Sequence, residues 1–316
     1  MHAAAVTIQA PAKLNLSLAV LERRADGFHE IESLMAAVDL ADTLSLTTGG
    51  SPGIRLAVQF AGPLATPRGR PLARDVPTDT TNLVVRAVAA LASEAGMEPA
   101  LDIELVKRIP SGAGLGGGSS DAAAGLAAAA ELWKLDWPRA RLAEIGGRIG
   151  SDVPWFFAGG AAVAAGRGER ILPVESLMPL FAVIACPPEG LSTAAVYQAC
   201  TPSWARASEA AALAAALAAG DLHTALPLLS NDLEPPARRL SPEVDRLLAD
   251  LARAGGLCPR LTGSGSACFT LCRTQAEARG IAARLAALED DGRPRWPLVE
   301  VVRVGGQRPP PPGCAA

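Results

Sequence analysis

Between Ile109 and Leu132 the chain reads IPSGAGLGGGSSDAAAGLAAAAEL, a loop nearly without side chains that runs straight into an alanine-rich helix. Glycine takes positive φ freely and leaves peptide N–H groups uncovered, so another molecule can lie directly on such a backbone. The helix, expected from Ser119 or Ser120 to about Trp133, contributes unpaired N–H groups and the positive end of its dipole. Loop and helix start together make a cradle for an anion, most commonly phosphate. A flexible linker would also be rich in glycine, but linkers are not normally flanked by a strand and a strong helix. A second resource is the ammonium group. Of 29 lysines and arginines only Lys13, Lys107 and Lys134 are lysine, so ordinary positive surface is made with arginine. Each lysine is therefore a candidate for chemistry that needs a compact charge.

Two widespread phosphate loops provide a test. A P-loop ends in Gly-Lys-Ser/Thr, whereas here the glycines run into Gly118, Ser119 and Ser120 with no lysine, which excludes it. The dinucleotide pattern G-x-G-x-x-G does match through Gly112, Gly114 and Gly117, and makes a dinucleotide-dependent oxidoreductase the formal rival. That fingerprint wants a buried apolar strand leading in. LDIELVKRIP instead alternates Leu101, Ile103 and Leu105 with Asp102 and Glu104, the pattern of a half-exposed and antiparallel strand. The acidic residue due about twenty positions on would be Asp136, in a stretch that reads as a helix end and turn.

The elements that must position these residues follow from patterning. AAAVTIQAPAKLNLSLAVL alternates through Leu14, Leu16, Leu18 and Val20, and EIESLMAAVDLADTLSLTT continues in extended form. From about Gly62 to Thr80 the chain is rich in proline and charge, as in a long surface loop. NLVVRAVAALASEAG has helical spacing with Thr81 or Asn82 as its N-cap. After the glycine loop and its helix, RARLAEIGGRIG is a second helix that ends on glycine and delivers SDVPWFFAGGAAVAAGRGE, a loop followed by strands. The C-terminal half reads as a buried strand FAVIACP, alanine-rich helices from about Ser203 to Ala219, a helix VDRLLADLARAG, strands around PRLTGSGSACFTLC and a helix AEARGIAARLAAL. GGQRPPPPGCAA, residues 306–316 for the most part, reads as a disordered tail. Strand runs and helix runs do not alternate strictly, so the fold class is α+β, and 316 residues imply two domains.

Composition removes several functions. The longest apolar stretch, MPLFAVIACPPEGLSTAAVYQAC, is broken by Pro187, Pro188, Glu189 and Gly190, so no membrane partner is expected. The N-terminus lacks a basic segment before a long apolar run, which argues against a secretory signal. Six scattered cysteines, Cys186, Cys200, Cys258, Cys268, Cys272 and Cys314, have no zinc spacing and read as reduced thiols of a cytoplasmic protein. A net charge of −3 offers no basic field to nucleic acid.

Taken together, PAKLNLSL, PSGAGLGGGSS and LTGSGSACF resemble the three ordered motifs of the GHMP kinases, the superfamily of galactose, homoserine, mevalonate and phosphomevalonate kinases. By itself, LTGSGSACF would be a tight hairpin turn between two strands. The longer stretch PAKLNLSLAVLERRADGFHEIESLM, with GSDVPWFFAGGAAVAAGRGE and NDLEPPA, is similar to the branch that acts on a cytidine-diphosphate-linked methylerythritol. The likeness spans most of the chain, apart from residues 49–79 and the tail. It implies a two-domain GHMP kinase fold. Residues 1–165 would be an ATP-binding domain resembling the second domain of ribosomal protein S5, and residues 166–305 a ferredoxin-like domain. It also implies ATP and Mg2+, a small-molecule substrate, and a monomer or weak homodimer. A sister GHMP kinase specificity is the nearest alternative.

Residue by residue, the resemblance places two catalytic groups. Asp152 matches the family's catalytic aspartate, although an aspartate near a proline is by itself a common turn residue. Lys13 matches the second catalytic position, where it would keep the carboxylate ionised and neutralise the transferring group. Asn15, two residues on along the same strand face, would hold Lys13 or the substrate. For ATP the resemblance implies Pro110, Ser111, Gly112, Ala113, Gly114, Leu115, Gly116, Gly117, Gly118, Ser119 and Ser120, with Ser119 or Ser120 assisting magnesium or phosphate. Lys107 and Asn82 would contact the nucleotide, Asn82 being equally a plain N-cap. For the cytidine end it implies Phe28, His29, Thr193 and Tyr197. Two positions depart from the family pattern: Phe28, where tyrosine is usual, and Ala113, where glycine is common.

Overall fold

A computed structural model describes residues 4–73, 76–174, 176–202 and 209–305. The expected tail and the expected start of the helix at Ser203 lie outside these residues. The strands are β1 (Ala5–Asn15), β2 (Ser17–Arg23), β3 (His29–Thr48), β4 (Gly53–Phe60), β5 (Ala100–Lys107), β6 (Ala161–Gly166), β7 (Arg170–Val174), β8 (Leu180–Cys186), β9 (Ser230–Asn231), β10 (Leu257–Leu261), β11 (Cys268–Cys272), β12 (Glu289–Asp290), β13 (Arg293–Pro294) and β14 (Leu298–Val304). The helices are α1 (Leu83–Ala95), α2 (Gly117–Leu132), α3 (Arg139–Ile149), α4 (Trp155–Ala158), α5 (Thr193–Gln198), α6 (Glu209–Ala218), α7 (Leu222–Ala225), α8 (Glu234–Leu240), α9 (Pro242–Arg253) and α10 (Gln275–Ala286).

The long strand β3 organises the sheet. Along its 20 residues it pairs antiparallel with β1, β2, β5, β6 and, at Val38 opposite Val304, with β14. Helices α1, α2 and α3 bury a cluster against one face of this sheet that includes Leu44, Leu46, Val88, Leu91, Ile103, Leu126 and Trp155. Helix α2 can lie at the centre because most of its residues are alanine, glycine or serine. Its small side chains let it be buried on nearly every side while keeping high helix propensity. The C-terminal half sets its strands in the antiparallel order β10-β11-β8-β14. By chain order that is 2-3-1-4, the split βαβ arrangement of a ferredoxin-like unit, with α9 and α10 contributing Leu247, Leu251, Ile281 and Leu285 to its core.

Three sequence expectations need correction in detail. Strand β5 does alternate and does pair antiparallel with β3, but its other edge pairs in parallel with β4, because α1 carries the chain back over the sheet. The alternation expected through β1 and β2 does not divide a dry face from a wet one: residues 12 to 20 are buried on both faces, since the polar positions Lys13, Asn15 and Ser17 lie under other segments of the chain. The loop near residues 62–80 is not wholly superficial: Leu64 and Leu72, each in a short 3-10 turn, join the apolar core.

Where β5 ends and the glycine loop begins, one ionic cluster pins three elements. Asp42 of β3, fully buried, accepts the backbone N–H of Arg108 at 2.5 Å and of Ile109 at 2.9 Å through one carboxylate oxygen. Its other oxygen accepts from the Lys107 ammonium, which also donates to Asp121 of α2 at 2.7 Å. Burial alone would lower the Lys107 pKa, but Asp121 and Asp42 together raise it above its ordinary value, so the ammonium stays charged. Leaving a buried donor without its acceptor generally costs about 1–3 kcal/mol, and more when the donor is charged. Asp42→Asn, which removes the carboxylate charge and turns an N–H toward a donor, is therefore expected to lower unfolding stability by about 3 kcal/mol. Urea titration followed by circular dichroism measures this, and an unchanged midpoint and slope would mean that the cluster does not hold the corner.

Candidate active site

A cavity of about 1060 Å³ opens between the glycine loop, the turn before β3, the start of α5 and the turn joining β10 to β11. Its polar floor is the odd-numbered face of β1. Lys13, 3% exposed, donates to Asn15 Oδ1 at 2.5 Å and to the carbonyl oxygen of Gly114 at 2.8 Å. Both acceptors are neutral. Burial lowers the Lys13 pKa from its ordinary value, and the Asp152 carboxylate acts in the opposite direction, which puts the two groups within electrostatic reach. Asn15 also donates to Ser33 Oγ at 2.8 Å, so its carboxamide orients Lys13 from a fixed position. Asp152 sits in the turn between α3 and α4 on the cavity wall, where its backbone carbonyl accepts from Trp155 N–H at 3.2 Å.

The glycine loop is locked from both sides. Lys13 N–H donates to Leu115 O at 3.0 Å, and Ala267 N–H donates to Ala113 O at 3.1 Å, so the loop runs between β1 and the second glycine turn. Gly112, Gly114 and Gly116 all adopt positive φ. A Cβ on Gly114 would stand 2.2 Å from Thr262 O, so glycine is required there for close approach as well as for φ. Ala113, which departs from the family pattern, is not at positive φ, and its methyl packs into the core. Helix α2 starts at Gly117, two residues before the earliest expected start, with no side-chain cap on its first turn. Its leading N–H groups are thus left for a ligand. Gly118 and Ser119 line the cavity.

Other expected residues are placed as follows. Asn82 caps α1, accepting from Val84 N–H at 2.8 Å and donating to Pro77 O at 2.7 Å, and it also borders the cavity. Lys107 borders the cavity too, with its ammonium engaged by Asp42 and Asp121. At the opposite end, Gly27 takes positive φ and Asp26 Oδ1 accepts Phe28 N–H at 3.1 Å, a tight turn that presents Phe28 and His29. Phe28 is 50% exposed with the Arg167 guanidinium 4.9 Å above its ring. His29 packs on Tyr197 with ring centroids 5.1 Å apart, and burial lowers the His29 pKa. Burial, and secondarily Asp152, raises that of the Tyr197 hydroxyl. Thr193 shares a 2.8 Å hydrogen bond with Ser264 of the second glycine turn.

Several cavity or supporting residues were not anticipated. Arg23 and Arg167 line the cavity near Phe28, and nothing in their spacing marked them among so many arginines. Asn231, inside NDLEPPA, donates to Leu261 O and Gly263 O at 2.9 Å each and so holds the second glycine turn against the first. Asp121 adjoins the serines already singled out, yet reads as one more residue of a helix start. Burial, then the charge on Lys107 in opposition, leaves its pKa pushed up to about 8. The dinucleotide alternative lacks its scaffold. Apart from the β4–β5 and β2–β9 pairings the ladders are antiparallel, and the glycine loop rests on a hairpin turn instead of crossing between parallel strands.

Comparison with known proteins agrees with this architecture. Residues 82–160 match the family described as GHMP kinases N terminal domain, and residues 213–290 match GHMP kinases C terminal. The 4-diphosphocytidyl-2-C-methyl-D-erythritol kinase of Pelotomaculum thermopropionicum is 40% identical over 280 residues, covering 88% of this chain and 93% of its own. The enzyme of that name from Rhodococcus jostii is 41% identical over 286 residues, covering 89% and 88%. A crystal structure of 4-(cytidine 5'-diphospho)-2C-methyl-D-erythritol kinase superposes with a TM-score of 0.72 at 34% identity, covering 96% of this chain and all of that one. Among the described residues no helix is long and apolar enough to cross a membrane.

The contact between the two glycine turns yields a paired test. Gly114→Ala forces a methyl against Thr262 O and strains φ, so thermal stability is expected to fall by several degrees with loss of nucleotide binding. Gly118→Ala, whose Cβ would meet only Leu83 Cδ1 at 3.6 Å, is expected to melt at the wild-type temperature or slightly above. Identical melting curves for the two variants would remove the turn-to-turn contact from the account.

Proposed function

The chain belongs to the GHMP kinases, and on that premise we propose that it phosphorylates the 2-hydroxyl of 4-diphosphocytidyl-2-C-methyl-D-erythritol with ATP, in the non-mevalonate route to isoprenoid precursors. The observation that carries the reading is the cavity wall on which Lys13, fixed by Asn15 and Gly114, and Asp152 stand at the foot of an uncapped, glycine-led helix. Phosphoryl transfer needs little more than positioning, countercharge and a group to receive the hydroxyl proton, and each has a residue here.

In this reading the peptide N–H groups from Ser111 to Ser119 hold the phosphates of ATP, and Asp152 receives the proton of the 2-hydroxyl. As that oxygen bonds to the γ-phosphorus, the bond from phosphorus to the bridging oxygen of ADP breaks. Lys13 acts as the fixed positive charge, because its acceptors are neutral and its ammonium is not consumed in an internal ion pair. Magnesium is a hard cation that favours oxygen ligands and shares phosphate oxygens; the hydroxyl of Ser119, on the cavity lining, or of Ser120, buried just behind it without a partner, would supply a protein oxygen. When bound, it neutralises phosphate charge. Phe28, His29 and Tyr197 would take the cytosine, with Arg167 closing over the Phe28 ring and Thr193 at the edge. The ATP-binding unit would span residues 1–165 and the second unit residues 166–305, in a cytoplasmic monomer or weak homodimer.

Release of ADP with the cytidyl alcohol, set against mevalonate, homoserine and galactose, tests the assignment. Absence of turnover with the cytidyl alcohol and brisk turnover with one of the others would transfer it to a sister specificity. Asp152→Asn is expected to lower turnover roughly 10²- to 10⁴-fold with little change in substrate affinity. Near-normal turnover would return Asp152 to the rank of a turn residue. Tyr197→Ala should remove one stacking face worth about 1–3 kcal/mol, which raises the Michaelis constant for the cytidyl substrate about tenfold or more and spares that for ATP. A sharp fall in melting temperature with normal substrate affinity would instead assign the ring to the core.

A further inference from the structure

The cluster of Asp42, Lys107 and Asp121 sets two carboxyl groups against one ammonium in the protein interior. Asp42 is saturated: one oxygen takes two backbone N–H groups and the other takes Lys107. Asp121 is not. Its Oδ2 accepts from Lys107, while Oδ1 is buried without any hydrogen-bond partner, although the residue, 3% exposed, borders the cavity. Its neighbour Ser120 likewise has a buried Oγ without a partner. A buried carboxyl oxygen without a partner is costly, and the two orphans sit where the first turn of α2 (Ser120) passes into the second (Asp121), in the helix whose N-terminus faces the phosphates in the reading above.

We propose that Asp121 is a protein ligand of the divalent cation that accompanies ATP, binding through Oδ1 while Lys107 holds Oδ2. The inference rests on the phosphotransfer reading and adds to it a residue and a role. A divalent ion at Oδ1 would give that oxygen the partner it lacks. Among the described residues no three acidic, histidine or cysteine side chains converge on one point, so the protein by itself makes no closed cage. Magnesium is commonly bound in that way, through one or two carboxylates with the remaining positions filled by substrate phosphates and water. Lys107 would then be a positioning residue. It fixes the rotamer of Asp121 through Oδ2 and leaves Oδ1 for the ion.

Manganese serves as the probe, since it shares the oxygen preference of magnesium and its free ion gives a paramagnetic resonance signal. The full-length protein, saturated with a non-hydrolysable ATP analogue, would be titrated with Mn2+ as wild type and as Asp121→Asn. The variant is expected to hold Mn2+ at least about tenfold more weakly. The analogue measured in EDTA should bind both proteins equally. Equal Mn2+ affinity overturns the proposal, and so does a parallel loss of metal-free nucleotide binding, which would give Asp121 a purely structural part. Wild-type protein that takes up no metal with nucleotide would overturn the phosphotransfer reading itself, an outcome distinct from the other two. If Asp121→Asn does not fold, the wild type still decides. Fe2+ with ascorbate and peroxide should cleave the nucleotide-bound backbone close to Asp121, and cleavage confined elsewhere, or none, overturns the assignment.

Discussion

The arrangement depends on two backbones approaching more closely than side chains allow. Gly114 and the turn at Thr262 and Gly263 lie so near each other that a Cβ on either glycine would strike the opposing main chain. Directly beneath, the Lys13 ammonium takes Gly114 O as an acceptor. One contact thus joins the N-terminal strand, the glycine loop and the C-terminal hairpin, and it sets the height of the cavity above Lys13. Asn231 and Thr262 reinforce it from the other side, through hydrogen bonds to Gly263 O and from Asn15 N–H.

Two buried lysines frame this contact, and their partners give them opposite characters. Lys107 faces carboxylates, which keep it charged and make it part of the scaffold. Lys13 faces a carboxamide and a carbonyl, so its charge is stabilised by dipoles and by the more distant Asp152, and most of its field remains directed at the cavity. Burying an ammonium against neutral oxygens costs free energy that a packed apolar side chain would not, and the cost makes sense where an anion completes the set. The uncapped start of α2 follows the same logic, as its leading N–H groups have no side-chain acceptor in the protein.

Much of this was legible without coordinates. Glycine positions, the strand before them and the helix after them are local matters, governed by φ preference and periodicity, and they appear where the pattern placed them within two or three residues. The errors were also physical. Alternation in β1 and β2 does not say whether the polar face is wet: period two says only that the two faces differ, and here the polar face is roofed by the glycine loop. The parallel edge of β5 was missed because it depends on where α1 returns the chain, which no alternation records.

What the sequence determined is the chemistry on offer: an anion cradle, scarce lysines, aromatic residues near a turn, and motifs in the order that the GHMP kinases use. What the tertiary structure decided is which groups meet. Lys13 and Lys107 look alike in sequence, each in a strand beside apolar neighbours. Their difference comes from Asp42, 65 residues from Lys107, and from Asp121, 14 residues away, brought together only when β3, β5 and α2 pack. Long-range charge pairing leaves no periodic trace along the chain, because Coulomb interaction depends on distance in space, and that distance is fixed by packing the whole sheet.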